Sequence, residues 1–349
     1  MIHFIRQYLG WRHWAVLTHN SIIENIFLLF FIALSARLFT TAFIVDLIIF
    51  VLFSVFSTTY GYLINDLADK QLDKLHGKNN TFENDSYTKA ALIVQLFLIL
   101  SVLCGLRFIG NHLFIPLWIF WGLAATFYSL PPVRLKERGK TGLIVVVVAQ
   151  RALPALLIFS AFNHFEWIDI TFFTAYIFFR GLSSDLNHQL SDYHNDLLTK
   201  TDTFAVEAGI KTAQKLFRYS LEAEKLLLML CLVIMCIETP RIDIYGVPLL
   251  IPALIAYLIL YALCQMKMRT INSESEANPF VPGQKNIFQF IHHAFPSVVL
   301  PFYLLLLLVY ETWLFLPVLL IFGLLRNMYS LETIKNAYPV RKIIEAMKG

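Results

Sequence analysis

The feature that most constrains this chain is the grouping of its apolar residues into blocks as long as a bilayer is thick. Ten blocks can be drawn along the 349 residues, and each has about the 17–25 residues that a membrane-spanning α-helix needs. We therefore expect an all-α polytopic membrane protein. The blocks are residues 21–38, 42–64, 89–108, 112–129, 142–161, 168–186, 219–237, 246–266, 287–309 and 312–328.

The composition supports a lipid environment. Hydrophobic residues make up 58% of the chain and charged residues 15%, whereas a soluble domain carries roughly 25% charged residues. The net charge of +4 is mild, so we expect a lipid bilayer as partner and no nucleic acid, which would need a dense basic surface.

Most of the 28 Lys and Arg residues fall in connections on one side of the predicted spans. This asymmetry indicates that the basic side faces the cytoplasm. The three longest connections on that side are residues 65–88, 187–218 and 267–286. We expect a multi-pass protein of a prokaryotic cell membrane, with its active site facing the cytoplasm.

A first acidic cluster begins where the second block ends. It contains Asn65, Asp66, Asp69 and Asp73. On a helix the three carboxylates lie within about 60° of one another. Such like charges repel, and divalent cations prefer oxygen ligands, so the cluster predicts a metal site.

A second acidic cluster lies where the sixth block ends, at Asp185, His188, Asp192 and Asp196. It also forms one helical stripe, and the deduced orientation places both stripes on the same face. Two such stripes could hold Mg²⁺, and the metal could bind a diphosphate. The alternative is that both are solvated helix ends that form surface ion pairs.

A basic segment follows the fourth block. Pro131 and Pro132 should end that helix, and Arg134 and Lys136 then lie beside the acidic stripes. They could bind diphosphate oxygens, or they could be ordinary cytoplasmic basic residues.

Two arginines fall within predicted spans, where charges are costly and usually face a cavity or a partner. Arg151 could contact the headgroup of an acceptor, and Arg180 could pair with a nearby acidic group. The alternative for each is an interhelical salt bridge.

These motifs resemble the UbiA superfamily of intramembrane prenyltransferases. The resemblance rests on N-D-x-x-D-x-x-x-D at 65–73, D-x-x-x-D at 192–196 and Y-S-x-P-P-x-R-x-K at 128–136. It implies one transmembrane domain over 1–349, with about nine or ten helices around a central cavity. A shift of 123 residues places Asp69 and Asp73 on Asp192 and Asp196, which suggests repeated halves at about 21–141 and 142–266, followed by C-terminal helices over 287–328.

The resemblance also implies roles for individual residues. The candidate catalytic residues are Asp66, Asp69, Asp73, Asp192 and Asp196, and the candidate metal ligands are these five with Asn65. The candidate substrate-binding residues are Asn65, Tyr128, Arg134 and Lys136 from the resemblance, and Arg151, Arg180, His188 and Lys200 from their positions in the sequence.

The function that these features favour is Mg²⁺-dependent transfer of a polyprenyl group from an allylic prenyl diphosphate to a small-molecule acceptor. We expect an aromatic acceptor that resembles a quinone precursor. Residues 76–82 replace the Arg-Pro-rich run familiar after the first motif, and His76 and Lys78 loosely fit an alternative, phosphoribosyl transfer to a polyprenyl phosphate. A membrane transporter is the alternative outside enzymes.

Overall fold

A computed structural model describes residues 2–10, 14, 16–17, 20–75, 77–199, 201–239, 243–244, 247–271, 274–281 and 286–348. The described chain is predominantly helical, and each of the ten apolar blocks overlaps at least one helix. The labelled helices are α1 Phe27–Ser35, α2 Thr41–Leu75, α3 Tyr87–Phe108, α4 Phe114–Ser129, α5 Gly139–Ala161, α6 Trp167–Thr199, α7 Ile210–Glu238, α8 Ile251–Met268, α9 Ile287–Glu311 and α10 Leu316–Leu325.

Shorter elements connect these helices. Strands β1 (Asp243–Ile244) and β2 (Val247–Pro248) pair antiparallel, with Asp243 opposite Pro248 and Ile244 opposite Val247. The short helices are Ile2–Phe4, Ile5–Leu9, Ser21–Glu24, Leu135–Glu137, Phe204–Ala208, Glu274–Ala277, Trp313–Phe315, Leu331–Asn336 and Tyr338–Lys348.

Five of the described helices are long and apolar enough to cross a membrane: α2, α3, α5, α8 and α9. Helix α4 has 16 residues, which at 1.5 Å per residue is shorter than the hydrocarbon core of roughly 30 Å. The predicted span 21–38 is not one helix, because a turn at residues 25–26 separates Ser21–Glu24 from α1. The polar residues Glu24 and Asn25 lie at this turn, but the block around them is apolar enough for its average hydropathy not to mark the break.

Two compact units can be separated by their internal contacts. Unit one comprises Met1–Glu24 and Val45–Leu221. Its core contains a cluster of aromatic rings, in which Phe53 and Phe114 have centroids 5.4 Å apart and Phe108 and Phe114 have centroids 5.3 Å apart. Hydroxyl pairs join its helices, with Ser57 of α2 2.6 Å from Ser101 of α3.

Unit two comprises Asn25–Ile44 and Glu222–Gly349. Within it, α1 packs against the Leu300–Glu311 part of α9, which in turn packs against α10. Glu224 and His292 form a buried contact between α7 and α9, and the hydroxyl of Tyr257 on α8 donates to the carbonyl of Lys225 at 2.9 Å. The predicted repeat halves cut the chain at different places from these units, and the repeat itself stays a prediction.

Candidate active site

The first acidic stripe lies on the last turns of α2, which continues to Leu75. The stripe is therefore on one uninterrupted helix, as its spacing predicts. Asp66 is almost fully buried, with 1% of its surface exposed. The side chains of the stripe are held by different partners, which come from residues 80–81 and 129–136.

Basic residues after α4 bind the middle of the stripe. Nη2 of Arg134 donates to Oδ1 of Asp69 at 2.9 Å, and Nζ of Lys136 donates to Oδ2 of the same carboxylate. Lys136 also donates to Oδ1 of Asn65 at 3.0 Å, and the hydroxyl of Ser129 donates to the same oxygen at 2.9 Å. The connection after α4 thus delivers two cations to α2.

The second stripe lies on α6 and lines a cavity of about 210 Å³. Asp185, His188, Asp192 and Asp196 all face this cavity, as their helical spacing predicts. Nδ1 of His188 lies 3.3 Å from Oδ2 of Asp192, and the hydroxyl of Thr203 donates to Oδ2 of Asp196 at 3.0 Å. The other lining residues are Tyr128, Lys136, Glu137, Val146, Gln189 and Thr201.

Lys136 lies close to both acidic stripes. It contacts Asp69 on α2 and lines the same cavity as Asp192 and Asp196 on α6. Asp66, Asp69, Asp73 and Arg134 do not line this cavity themselves. Lys136 therefore binds a carboxylate of the first stripe and lies at the cavity lined by the second.

Burial shifts the pKa of two cavity-lining groups that lie outside the predicted spans. It lowers the pKa of Lys136 more than the contact with Asp69 raises it. Burial also raises the pKa of Asp196, although the hydrogen bond from Thr203 acts in the opposite direction. Both pKa shifts arise because a charged side chain loses favourable interactions with water when it is buried.

The donor atoms of the two stripes are carboxylate and amide oxygens. These are the hard ligands that Mg²⁺ prefers, and Mg²⁺ is usually bound by one or two carboxylates together with substrate phosphates. The residues present therefore fit a divalent cation bound with an anionic ligand.

The remaining candidate residues have different surroundings. Arg151 lies on a π-helical turn of α5, is 9% exposed and pairs with Glu24. A β-carbon at Gly181 would lie 2.2 Å from Cγ of Arg151, so this glycine makes room for the arginine. Arg180 is buried on α6. Lys200 and His76 lie outside the described residues.

Several residues that the structure brings to the site are not among the site residues predicted from the sequence. Glu137, Gln189, Thr201 and Thr203 line the cavity. Gln189 follows His188 in the sequence and Thr203 donates to Asp196, but both side chains are uncharged, so the pattern of charges does not mark them. Asn80 and Thr81 contact the first stripe from a loop, and helical spacing gives no signal for them.

Comparison with known proteins finds relatives of this chain in both sequence and structure. Residues 25–281 match the UbiA prenyltransferase family. A digeranylgeranylglyceryl phosphate synthase of Sulfurisphaera tokodaii is 30% identical over 155 residues, which is 43% of this chain and 53% of that protein. The match thus spans about half the length of that relative.

Solved structures share the fold. A UbiA homologue from Archaeoglobus fulgidus bound to GPP and Mg²⁺ is 18% identical, with a TM-score of 0.56 over 87% of this chain and 99% of the other. A structure concerned with digeranylgeranylglyceryl phosphate synthase in membranes is 15% identical, with a TM-score of 0.51 over 88% of this chain and 98% of the other. The predicted all-α membrane fold and the resemblance stated from the motifs are confirmed.

Proposed function

Because the chain belongs to the UbiA prenyltransferase family, we propose that it transfers a polyprenyl group from an allylic prenyl diphosphate to an acceptor within the membrane and releases diphosphate. The observation that carries this proposal is the position of Lys136. Its ammonium group contacts Asp69 and lines the cavity that Asp192 and Asp196 also line. A diphosphate in that cavity would meet the carboxylates of Asp192 and Asp196 and the side chain of Lys136, whose other partner is Asp69.

The residues that would hold Mg²⁺ are Asn65, Asp66, Asp69, Asp73, Asp192 and Asp196. When bound, the metal stabilises the negative charge that builds on a leaving diphosphate. The structure of a homologue bound to GPP and Mg²⁺ supports this cofactor.

The chain's own residues would then act on the donor. Lys136 and Arg134 would donate hydrogen bonds to diphosphate oxygens as the bond between the allylic carbon and oxygen breaks and its electron pair leaves with the diphosphate. Tyr128 lines the cavity and could offer its π-face to the allylic cation. The acceptor forms the new bond and gives up a proton.

The acceptor defines two testable variants of the same reaction. The sequence led us to expect an aromatic acceptor. The name of the Sulfurisphaera relative favours a second class, a lipid alcohol that carries a phosphate. We propose the same location in either case: a cell membrane, with the cavity on the cytoplasmic side that the Lys and Arg distribution indicates.

The test is a transfer assay with purified protein, Mg²⁺ and geranylgeranyl diphosphate, offered with either acceptor class. We expect diphosphate release that depends on the acceptor and is lost in Asp69→Ala and in Asp192→Ala. Asp46→Ala is the matched control, because Asp46 is on α2 and pairs with the exposed Arg107. Full activity in both site variants would contradict the proposal.

Two further experiments test the alternative functions. Label transferred only from phosphoribosyl diphosphate would favour the phosphoribosyl alternative, and ion flux into liposomes without a donor would favour a transporter.

A further inference from the structure

The loop between α2 and α3 turns back onto the acidic end of α2. We call residues 77–85 the return segment. Gly77 has a φ of +63°, in the left-handed region, and the amide of Lys78 donates to the carbonyl of Asp73 at 2.8 Å while that of Gly77 donates to Lys74. This pattern is a Schellman motif, which ends a helix and reverses the chain. The reversal brings Asn80 and Thr81 alongside the acidic stripe.

Asn80 binds two of the stripe residues through one amide group. Its Nδ2 donates to the backbone carbonyl of Asp66 at 2.8 Å and to Oδ2 of Asp73 at 2.7 Å. Its Oδ1 accepts from the amide of Phe82 at 2.9 Å. Because the oxygen is engaged by a backbone donor, the nitrogen must face the carboxylate. The orientation of Asn80 is thus fixed by its own loop.

Thr81 binds the side chain of Asp66. Its hydroxyl donates to Oδ2 of Asp66 at 2.6 Å, and its backbone amide donates to the same oxygen at 3.2 Å. Asp66 is 1% exposed, so solvent does not compete with these bonds. The two contacts fix the rotation of the carboxylate.

The return segment is itself fastened at its far end. Phe82 is fully buried, with its ring centroid 5.9 Å from that of Tyr8. Asp85 accepts from the hydroxyl of Tyr8 at 2.8 Å and pairs with Lys89 at 2.5 Å, and Lys70 donates to its backbone carbonyl. A loop held in this way can hold other groups in place.

We propose that Asn80 and Thr81 are positioning residues that fix the carboxylates of Asp73 and Asp66 for a divalent cation. This inference rests on the proposed function. Both residues are uncharged donors, so they orient the carboxylates without neutralising them, whereas Asp69 is bound by two cations. Groups that hydrogen-bond to metal ligands set the ligand geometry in advance, and their loss typically weakens metal affinity by roughly 10- to 100-fold.

The experiment measures binding of Mn²⁺ to the full-length protein in detergent by the loss of the free-ion electron paramagnetic resonance signal. We expect Asn80→Ala and Thr81→Val to weaken binding by roughly 10- to 100-fold, and Thr81→Ser to restore it because the hydroxyl returns. Asn79→Ala is the control, since Asn79 is exposed. If Asn80→Ala does not fold, the Thr81→Val and Thr81→Ser pair decides, because valine keeps the shape of threonine.

The outcomes separate this inference from the proposed function. Wild-type affinity in both Asn80→Ala and Thr81→Val, or no binding of Mn²⁺ by the wild-type protein, overturns the inference even if prenyl transfer is observed. Weakened Mn²⁺ binding in the variants of a protein that transfers no prenyl group upholds the positioning role and overturns the proposed function.

Discussion

The guanidinium of Arg134 lies 2.9 Å from the carboxylate of Asp69, and Lys136 binds the second oxygen of the same carboxylate. The basic connection after α4 thus supplies two cationic partners to Asp69, the middle carboxylate of the stripe on α2. If a divalent cation and a diphosphate bound together, Asp69 would hold Mg²⁺ and the side chains of Arg134 and Lys136 would donate hydrogen bonds to phosphate oxygens.

We expect Lys136→Met to lower kcat/KM for the prenyl diphosphate by roughly 10- to 100-fold. The reason is the loss of a charge-assisted hydrogen bond, which is worth about 1.5–3 kcal/mol. The measurement is steady-state release of diphosphate at saturating acceptor. Lys140→Met is the control, because the side chain of Lys140 is 65% exposed and 3.8 Å from Glu207. Equal kinetics in the two variants would show that Lys136 does not bind the donor.

Some of this site follows from the sequence and some does not. The spacing of Asp66, Asp69 and Asp73 fixes their common face on a helix, and the extension of α2 to Leu75 bears this out. The pairing of Lys136 with Asp69 joins residues 67 positions apart, so the sequence could only place both near one face. The return of Asn80 to Asp73 depends on a single left-handed glycine, and no periodicity reports it.

The partly buried pair of Arg151 and Glu24 also could not be read from sequence patterns, because its partners are 127 positions apart. Because Arg151 falls within a predicted span, the sequence allowed either a contact with the acceptor or an interhelical salt bridge. The structure shows a salt bridge. We expect Arg151→Met to destabilise the protein by up to about 3 kcal/mol, because it removes the cationic partner of Glu24, whose side chain is only 12% exposed. The measurement is thermal unfolding in detergent.

A double variant separates these two roles. Arg151→Met with Glu24→Gln should recover part of the lost stability, because the carboxylate that paired with Arg151 is then neutralised as well. If the double variant is stable and its KM for the acceptor is unchanged, Arg151 has no part in acceptor binding. The control is Arg107→Met, whose exposed pair with Asp46 should contribute no more than about 1 kcal/mol.

The close approach of α6 to Arg151 makes Gly181 sensitive to substitution. An added β-carbon would lie 2.2 Å from Cγ of Arg151 and 3.0 Å from Cδ, so Gly181→Ala must displace the arginine. We expect a loss of about 1–3 kcal/mol, typical of overpacking, seen as a lower melting temperature. Gly122→Ala on α4 meets nothing within 4 Å and should be neutral or stabilising. Two variants of equal stability would contradict the packing shown for Arg151.

The conformation of Gly77 gives a last prediction about the end of α2. Its φ of +63° is costly for residues with a β-carbon, although no atom would obstruct that carbon. We expect Gly77→Ala to destabilise the protein by about 1 kcal/mol, and Gly77→Asn to cost less because asparagine tolerates the left-handed region. Chemical or thermal unfolding of the three proteins measures the order. If the strain is purely conformational, stability decreases from the wild type to Gly77→Asn and then to Gly77→Ala. Equal losses of stability in both variants would point to a steric cause and would contradict the open space beside this residue.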